Sequence, residues 1–592
     1  MSSDPSVRRK ARAILDVAQF RPSLTASVIV FGILTALLEG IGIGFILPII
    51  QTARGRDGDG RFVEAFVTVY DALGVPFTLE TITIGVAFVM TLRYGSAFMV
   101  AWLRAILETT YIRDLQQRGY RSALDADIAY YDEHGSDEML NAIVKQADYA
   151  GSTINQFVRL FELGAMCVIY AGLALLIAPR LTVVAGLLLG VVTYVFRQQL
   201  ESGYDTGDRI ADGHERIQTA VQSGIQGIRD AKTFGVTDEL FDRFSAAVDQ
   251  YARSSIALRR NQNAIANFYQ LAGTLTLFAL IYASLRFTPL SLGSLAVFLF
   301  AMFRLIPRFS TLSDNFYKMG GNLPHLVRLQ EFIGTLEEQT EQFSGSAAPP
   351  DTVDRVEFAD VSFSYGGGSK TLRDVSFEIE RGEFVAFVGP SGAGKSTIVS
   401  LLARLYEPDG GAIHANDVDI SEFAVDEWRE HVSVVRQNPY IFNDTLRYNL
   451  TLGNRTATES EIEQACEIAN VSEFLDDLPD GLETQLGDEG VRLSGGQRQR
   501  VAIARAIIDD PDVLVMDEAT SDLDSVSESA VQDGIETMEK EYALLVVAHR
   551  LSTVTGADRI HAMKDGEIVE TGTHEHLIEA SGTYARLYDH QF

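Results

Sequence analysis

Residues 389 to 396 read Gly389-Pro390-Ser391-Gly392-Ala393-Gly394-Lys395-Ser396, a spacing of glycines, lysine and hydroxyl suited to holding phosphate. The glycines let successive backbone N–H groups turn toward one anion, and a helix starting behind them adds partial positive charge. Lys395 can reach the β- and γ-phosphates of a nucleotide, the Ser396 hydroxyl can ligate Mg2+, and Thr397 continues the run. The motif has meaning only between a strand and a helix. Both are expected: Phe384-Val385-Ala386-Phe387-Val388 is a buried strand by composition, and Ser396–Leu405 an apolar helix.

A second run, Val513-Leu514-Val515-Met516-Asp517-Glu518, is four apolar residues closed by two acids. Asp517 at the end of such a strand can hold Mg2+ through water. Glu518 beside it is suited to polarise the water that attacks a γ-phosphate.

These residues need a scaffold, and from Arg355 onward strands alternate with helices. Val356–Tyr365, Val375–Ile379, Val513–Met516 and Leu544–Ala548 are further expected strands, which predicts an α/β domain with a largely parallel core sheet. The first part of the chain is different. Six apolar stretches are long enough to cross a bilayer, for which about 20 residues suffice. They run approximately over Leu24–Ile50, Ile82–Ile106, Ile154–Ile177, Leu181–Phe196, Ile265–Leu285 and Leu290–Ile306. Connections three to four and five to six are short. Glu108–Thr153 and Gln198–Ala264 are long, charged and helix-forming, which predicts helices continuing well beyond the membrane. The expected fold class is an all-α six-helix transmembrane domain, residues 1–336, followed by a linker, 337–353, and a soluble α/β P-loop NTPase domain, 354–592.

The even span count puts both termini on one side. Arg8, Arg9, Lys10 and Arg12 make that side the cytoplasm, with the nucleotide domain there too. The N-terminus reads as a retained arm without a cleavable signal. The formal net charge is −31, from 80 acidic against 49 basic residues, which disfavours nucleic acid as a partner. Acid-rich, lysine-poor composition also suggests a cell that keeps concentrated salt in its cytoplasm, where charge is screened over about 3 Å at 1 M. Cys167 and Cys466 lie in different regions and imply neither a disulfide framework nor a zinc site.

About twenty residues before the second acidic run stands Leu493-Ser494-Gly495-Gly496-Gln497. With the two motifs above, it resembles the signature of ATP-binding cassette proteins, and over nearly its whole length the chain is similar to ABC exporters of the six-helix half-transporter type. The resemblance implies ATP and Mg2+ as cofactors, with Tyr365 stacking on adenine. It implies that Gln437 ligates Mg2+, that His549 contacts the γ-phosphate, and that Ser521-Asp522-Leu523-Asp524 crosses between paired cassettes. Alanine is commoner in the family where Asp522 stands. Thr484-Gln485-Leu486-Gly487-Asp488-Glu489-Gly490 looks like the loop touching the membrane domain. Ser494, Gly495 and Gly496 open a helix with free N–H groups. In the family these hold the γ-phosphate of the opposite subunit, so one cassette per chain implies a dimer. Intact Lys395, Asp517, Glu518 and His549 imply a homodimer with two equivalent sites. Coupling to the membrane is implied at the loop tips around Tyr130-Tyr131-Asp132-Glu133-His134 and Arg229-Asp230-Ala231-Lys232-Thr233-Phe234-Gly235.

Charged residues interrupt the spans: Glu39, Arg93, Glu162, Arg304 and Arg308. A cavity lined by Arg93 and Arg304 could accept an anionic headgroup or pyrophosphate; equally, Glu39 could pair with an arginine, or Arg304 and Arg308 snorkel. Leu37-Leu38-Glu39-Gly40-Ile41-Gly42 resembles the first span of lipid-linked oligosaccharide flippases. The expected function is therefore ATP-driven movement of an amphipathic substrate, a lipid or glycolipid, across the cytoplasmic membrane, with membrane lipids as partners. The alternatives are an ATP-gated channel or signalling ABC protein, or a multidrug or peptide exporter. Six spans exclude a soluble ATPase of DNA repair or translation.

Overall fold

The computed structural model describes residues 7–53, 61–134, 139, 141–287, 292–341, 345–487, 490–520, 523, 525–537, 542–548 and 550–591. They form two compact units: residues up to Ala126 with His134–Thr340, and Asp127–Glu133 with Glu341 onward.

The first unit is helical: α1 (Val7–Gln19), α2 (Pro22–Gly44), α3 (Ile46–Ala53), α4 (Arg61–Ala72) and α5 (Leu79–Leu124) come before the first long loop. Pro22 starts α2 where its missing N–H costs nothing, and Thr78 caps α5 through a reciprocal bond with Thr81. The first span ends earlier than the apolar run predicts. Pro48 has no N–H to offer the Gly44 carbonyl, and the helix breaks at Phe45 before α3 resumes. After a π-helical turn at Asn141–Gln146 follow α7 (Ala147–Ile177), α8 (Pro179–Gln199), α9 (Gly203–Gln226), α10 (Ile228–Phe234), α11 (Thr237–Phe287) and α12 (Leu292–Glu338); α6 (Ile128–His134) belongs almost wholly to the second unit.

Among the described residues, six helices are long and apolar enough to span a membrane: α2, α5, α7, α8, α11 and α12, the third counted from Ala142. At 46 residues α5 extends about 70 Å, more than twice a hydrocarbon core of about 30 Å, so the long loops are indeed helical continuations. Phe88, Phe98, Leu176, Leu187 and Phe278 are exposed along these helices, as expected of side chains meeting lipid tails or a second copy. Much of the short connection between the fifth and sixth spans, and the sixth span's expected start at Leu290, lie outside the described residues.

Within the unit, polar bonds tie helix to helix. Asn261 Nδ2 donates to Tyr317 Oη at 3.0 Å, Asn315 Nδ2 to the Gln156 carbonyl at 2.8 Å. Arg328 on α12 bonds Asp208 at 2.6 Å and Asp212 at 2.5 Å on α9. The same two helices approach so closely that a Cβ on Gly207 would lie 2.0 Å from the Gly321 carbonyl oxygen. Only glycine fits there.

The second unit carries strands β1 (Arg355–Phe363), β2 (Leu372–Glu380), β3 (Phe384–Val388), β4 (Gly410–Ala415), β5 (Val418–Asp419), β6 (Val432–Val435), β7 (Val513–Asp517), β8 (Ala543–Val547), β9 (Arg559–Lys564) and β10 (Glu567–Gly572). Four form an antiparallel sheet in the order β2-β1-β4-β5. Six form a mainly parallel sheet, β10-β9-β3-β8-β7-β6. The α/β domain with a largely parallel core is therefore as expected. β1 stops at Phe363, short of Tyr365, which starts a 3-10 turn with Gly366 at φ 57°. Phe358 and Phe377 stack at 4.4 Å in the core between the sheets, and Trp428 is buried with its Nε1 on the Leu402 carbonyl at 2.8 Å.

Candidate nucleotide site

β3 and helix α13 (Lys395–Leu402) flank Gly389–Gly394, the strand–loop–helix context that a phosphate cradle requires. Gly389 takes φ 155°, and a Cβ there would strike the Met563 carbonyl oxygen at 2.4 Å. The loop so formed has Lys395 folded back into it. Its Nζ donates to the Gly389 carbonyl at 2.8 Å and the Pro390 carbonyl at 3.2 Å. The side chain is only 6% exposed, and burial lowers the ammonium's pKa, opposed by the carboxylates of Glu518 and Asp517. A phosphate arriving in the loop would offer it stronger, charged partners than two carbonyls.

β7 delivers the acids. Asp517 is its last residue, and its Oδ1 accepts from Ser396 Oγ at 3.1 Å. Burial raises the Asp517 pKa, partly offset by the Ser396 hydrogen bond and by Lys395 and Arg436, while Glu518 adds to the rise. Two hard oxygens this close fit the donor set of Mg2+. Glu518 stands at φ 51°, in the left-handed region that costs a non-glycine residue strain. Its N–H donates to the Val547 carbonyl at 2.9 Å, so β8 holds the strained turn in place.

Tyr365 is 41% exposed, its ring edge-on to Phe363 and Tyr406 and its hydroxyl 3.2 Å from Thr397 Oγ1. That leaves a ring face beside the phosphate loop. Gln437 is exposed two residues beyond β6. His549, Ser521, Asp522, Asp524, Asp488 and Glu489 lie outside the described residues. Arg550, next to His549, is held by Glu528 at 2.9 Å, and Glu528 also accepts from Thr520 at 3.1 Å.

Ser494 caps helix α14 (Gly495–Ile508): its Oγ accepts from Gln497 N at 3.2 Å, and Gln497 Oε1 accepts from Ser494 N at 2.8 Å. The cap satisfies the third helical N–H and leaves those of Gly495 and Gly496 for an anion. No hydrogen bond or ion pair joins Ser494–Gln497 to the phosphate loop among the described residues.

The ABC transporter family profile matches residues 372–521, which takes in the phosphate loop, the capped signature helix and β7. The chain is 33% identical over 530 residues to an ATP-dependent lipid A-core flippase of Chromobacterium violaceum, covering 87% of this chain and 89% of that protein. The chain belongs to the ABC transporter family. A second ATP-dependent lipid A-core flippase, from Nitrosococcus oceani, is 30% identical over 97% of the chain and 94% of its own length. The heterocyst differentiation ATP-binding protein HepA of a Nostoc species is 28% identical over 97% of the chain and 95% of its own length. A solved bacterial Atm1-family ABC exporter with ATP bound shares the fold over 100% of this chain and 99% of its own, with TM-score 0.73 at 24% identity. This ABC transporter is thus an ATPase coupled to movement across a membrane.

Two features of the transporter escape sequence reasoning. Arg436, beside Gln437, acts on Asp517. Tyr406 donates its hydroxyl to Asp132 of α6, and burial together with that carboxylate raises its pKa. Neither belongs to a motif, although Asp132 lies in the loop tip marked by the family resemblance. In the spans, Glu39 is 4% exposed and shared: Arg93 lies at 3.0 Å and Arg308 at 3.7 Å. Glu162 meets Arg104 at 3.5 Å. Arg304 is exposed, 5.5 Å from the Phe300 ring centroid.

Proposed function

We propose that two copies of this chain form a homodimer in the cytoplasmic membrane, with termini and cassettes in the cytoplasm, and flip an amphipathic lipid or glycolipid at the expense of ATP. The reading is carried by the relatives named ATP-dependent lipid A-core flippases, which match the membrane half as well as the cassette.

Gly389 and Pro390 shape the loop that wraps the phosphates, Ser391, Gly392, Ala393 and Gly394 supply its backbone N–H groups, Lys395 moves from its carbonyl partners to the β- and γ-oxygens, and Tyr365 stacks on the base. Ser396, Asp517 and Gln437 would hold Mg2+, which neutralises phosphate charge when bound. Glu518 takes a proton from the attacking water, and His549 steadies the γ-phosphate. Ser494, Gly495, Gly496 and Gln497 of the second copy close over the same γ-phosphate with the helix N–H groups left free by the cap. Loss of that phosphate releases the seam. The motion then passes through α6, where Asp132 meets Tyr406, and through the tip carrying Phe234, which is 76% exposed.

In the membrane half the Arg93 charge is already matched by Glu39, so Arg304 is the better candidate for an anionic headgroup. Reconstitution into vesicles with a panel of anionic lipids, glycolipids, peptides and dyes tests the reading. Lipid-stimulated ATPase and inside-to-outside lipid movement support it; stimulation by peptides alone, or a passive ion current, refutes it.

A further inference from the structure

The chain passes from the first unit to the second at one peptide bond, between Thr340 and Glu341. Thr340 is tied to the first unit by a bridge to Ala126, and its Oγ1 donates to the Glu337 carbonyl at 3.1 Å. Glu341 is tied to the second. Its carboxylate takes both arms of Arg429, Oε1 at 2.7 Å from Nη2 and Oε2 at 3.2 Å from Nη1. Adjacent residues held by different units leave no slack, although the composition of this stretch reads as a loose linker.

The same guanidinium closes the far end of the phosphate-loop helix. Arg429 stands on the short helix Val425–Glu430. Its Nε donates to the Ala403 carbonyl at 3.1 Å and its Nη2 to the Arg404 carbonyl at 2.7 Å, just past α13. A cation there suits the negative end of a helix, and Trp428 takes the neighbouring Leu402 carbonyl. α13 is buried along most of its length, so it moves with the cassette core. With side chains only 29% and 25% exposed, the two-armed pair of Arg429 and Glu341 fixes orientation as well as distance. The linker is pinned once more at Ala347, whose N–H donates to the Glu422 carbonyl at 2.9 Å and whose carbonyl accepts from Ala424 at 2.8 Å.

We propose, on the transport reading above, that Glu341 and Arg429 are positioning residues. They clamp the chain, three residues beyond the end of α12, to the phosphate-loop helix. Cassette movement then reaches the sixth span through the chain itself, as well as through α6.

The test uses the full chain in nanodiscs, with Cys167→Ala, Cys466→Ala and Lys318→Cys to place one thiol on α12, where Lys318 is exposed. Maleimide labelling of that thiol is timed without nucleotide and with saturating ATP, Mg2+ and vanadate. Two changes are made to this parent: Glu341→Ala, and three glycines inserted between Thr340 and Glu341, which spare the clamp but restore slack. Arg429 is kept, because its loss would also uncap α13. Fluorescent-nucleotide affinity and thermal midpoint are read on every sample. The parent should change its labelling rate about fivefold or more on nucleotide addition, and both variants about twofold or less at unchanged nucleotide affinity. A merely local stabilising role would lower the midpoint of Glu341→Ala and leave the glycine insertion responding like the parent. That result, or two variants that respond as fully as the parent, overturns the clamp. A parent that does not respond takes the clamp down together with the transport reading on which it rests.

Discussion

Ser396 Oγ stands 3.1 Å from Asp517 Oδ1, although the two residues are 121 positions apart in the chain. That single bond joins the start of α13 to the end of β7, and the phosphate loop to the acids. Glu518 follows immediately, held at φ 51° by the bond from its N–H to Val547. The geometry separates holding nucleotide from hydrolysing it.

Glu518→Gln is therefore expected to lower ATP turnover by about 10²–10⁴-fold, the range of a positioned general base. ATP affinity should stay close to wild type, because neither the loop nor Asp517 changes. Steady-state phosphate release and nucleotide titration on the same sample measure both quantities. Near-normal turnover would remove Glu518 from the role of base.

Lys395→Ala should show the reverse order of damage. It removes the one ammonium buried in the loop, so ATP binding itself should weaken by about tenfold or more, as loss of a charge-assisted contact implies. Fluorescent-nucleotide titration of the variant gives the answer without any need for turnover.

These residues were legible because they are contiguous. Phe384–Val388 is both the expected strand and β3, and the glycine–lysine run leaves little freedom once that strand is placed. Partners distant in sequence were not legible in the same way. Nothing near Glu39 tells that Arg93, 54 residues on, is its closest cation, nor that Arg308 shares it. Tyr406 and Asp132 are 274 residues apart, and only folding brings the α6 loop tip to that hydroxyl. The left-handed turn at Glu518 also leaves no trace in composition, whereas the break at Phe45 could have been inferred from Pro48.

Glu39→Gln should destabilise the membrane half by about 3–5 kcal/mol, since it leaves two cations without their shared carboxylate. Adding Arg93→Gln should restore part of the loss. Thermal midpoints of the single and double variants in detergent check this. A double variant with no recovery would mean that Glu39 and Arg93 do not act as a pair.

Cassette stability should fall as the pH drops below about 6.5. His561 is buried against Phe377 and Phe387, with Nδ1 2.9 Å from Thr571 Oγ1, and burial lowers its pKa to about 4. The unfolded chain binds the proton first, so the stabilisation is complete above the unfolded value and is lost as pH falls toward about 4, about 3 kcal/mol in all. His561→Phe should flatten the dependence of the unfolding midpoint between pH 7 and about pH 4.5. An unchanged slope would assign the acid sensitivity to other groups.

The central claim is that each ATP is shared by the phosphate loop of one copy and Ser494 of the other. Two inactive variants, Lys395→Ala and Ser494→Arg, decide it when purified separately, mixed, dissociated and reassembled. Shared sites predict that mixed dimers regain one intact site, so activity returns to as much as about a quarter of wild type after random pairing. If each chain completes its own site, both copies stay defective and no activity returns. That result would contradict the account.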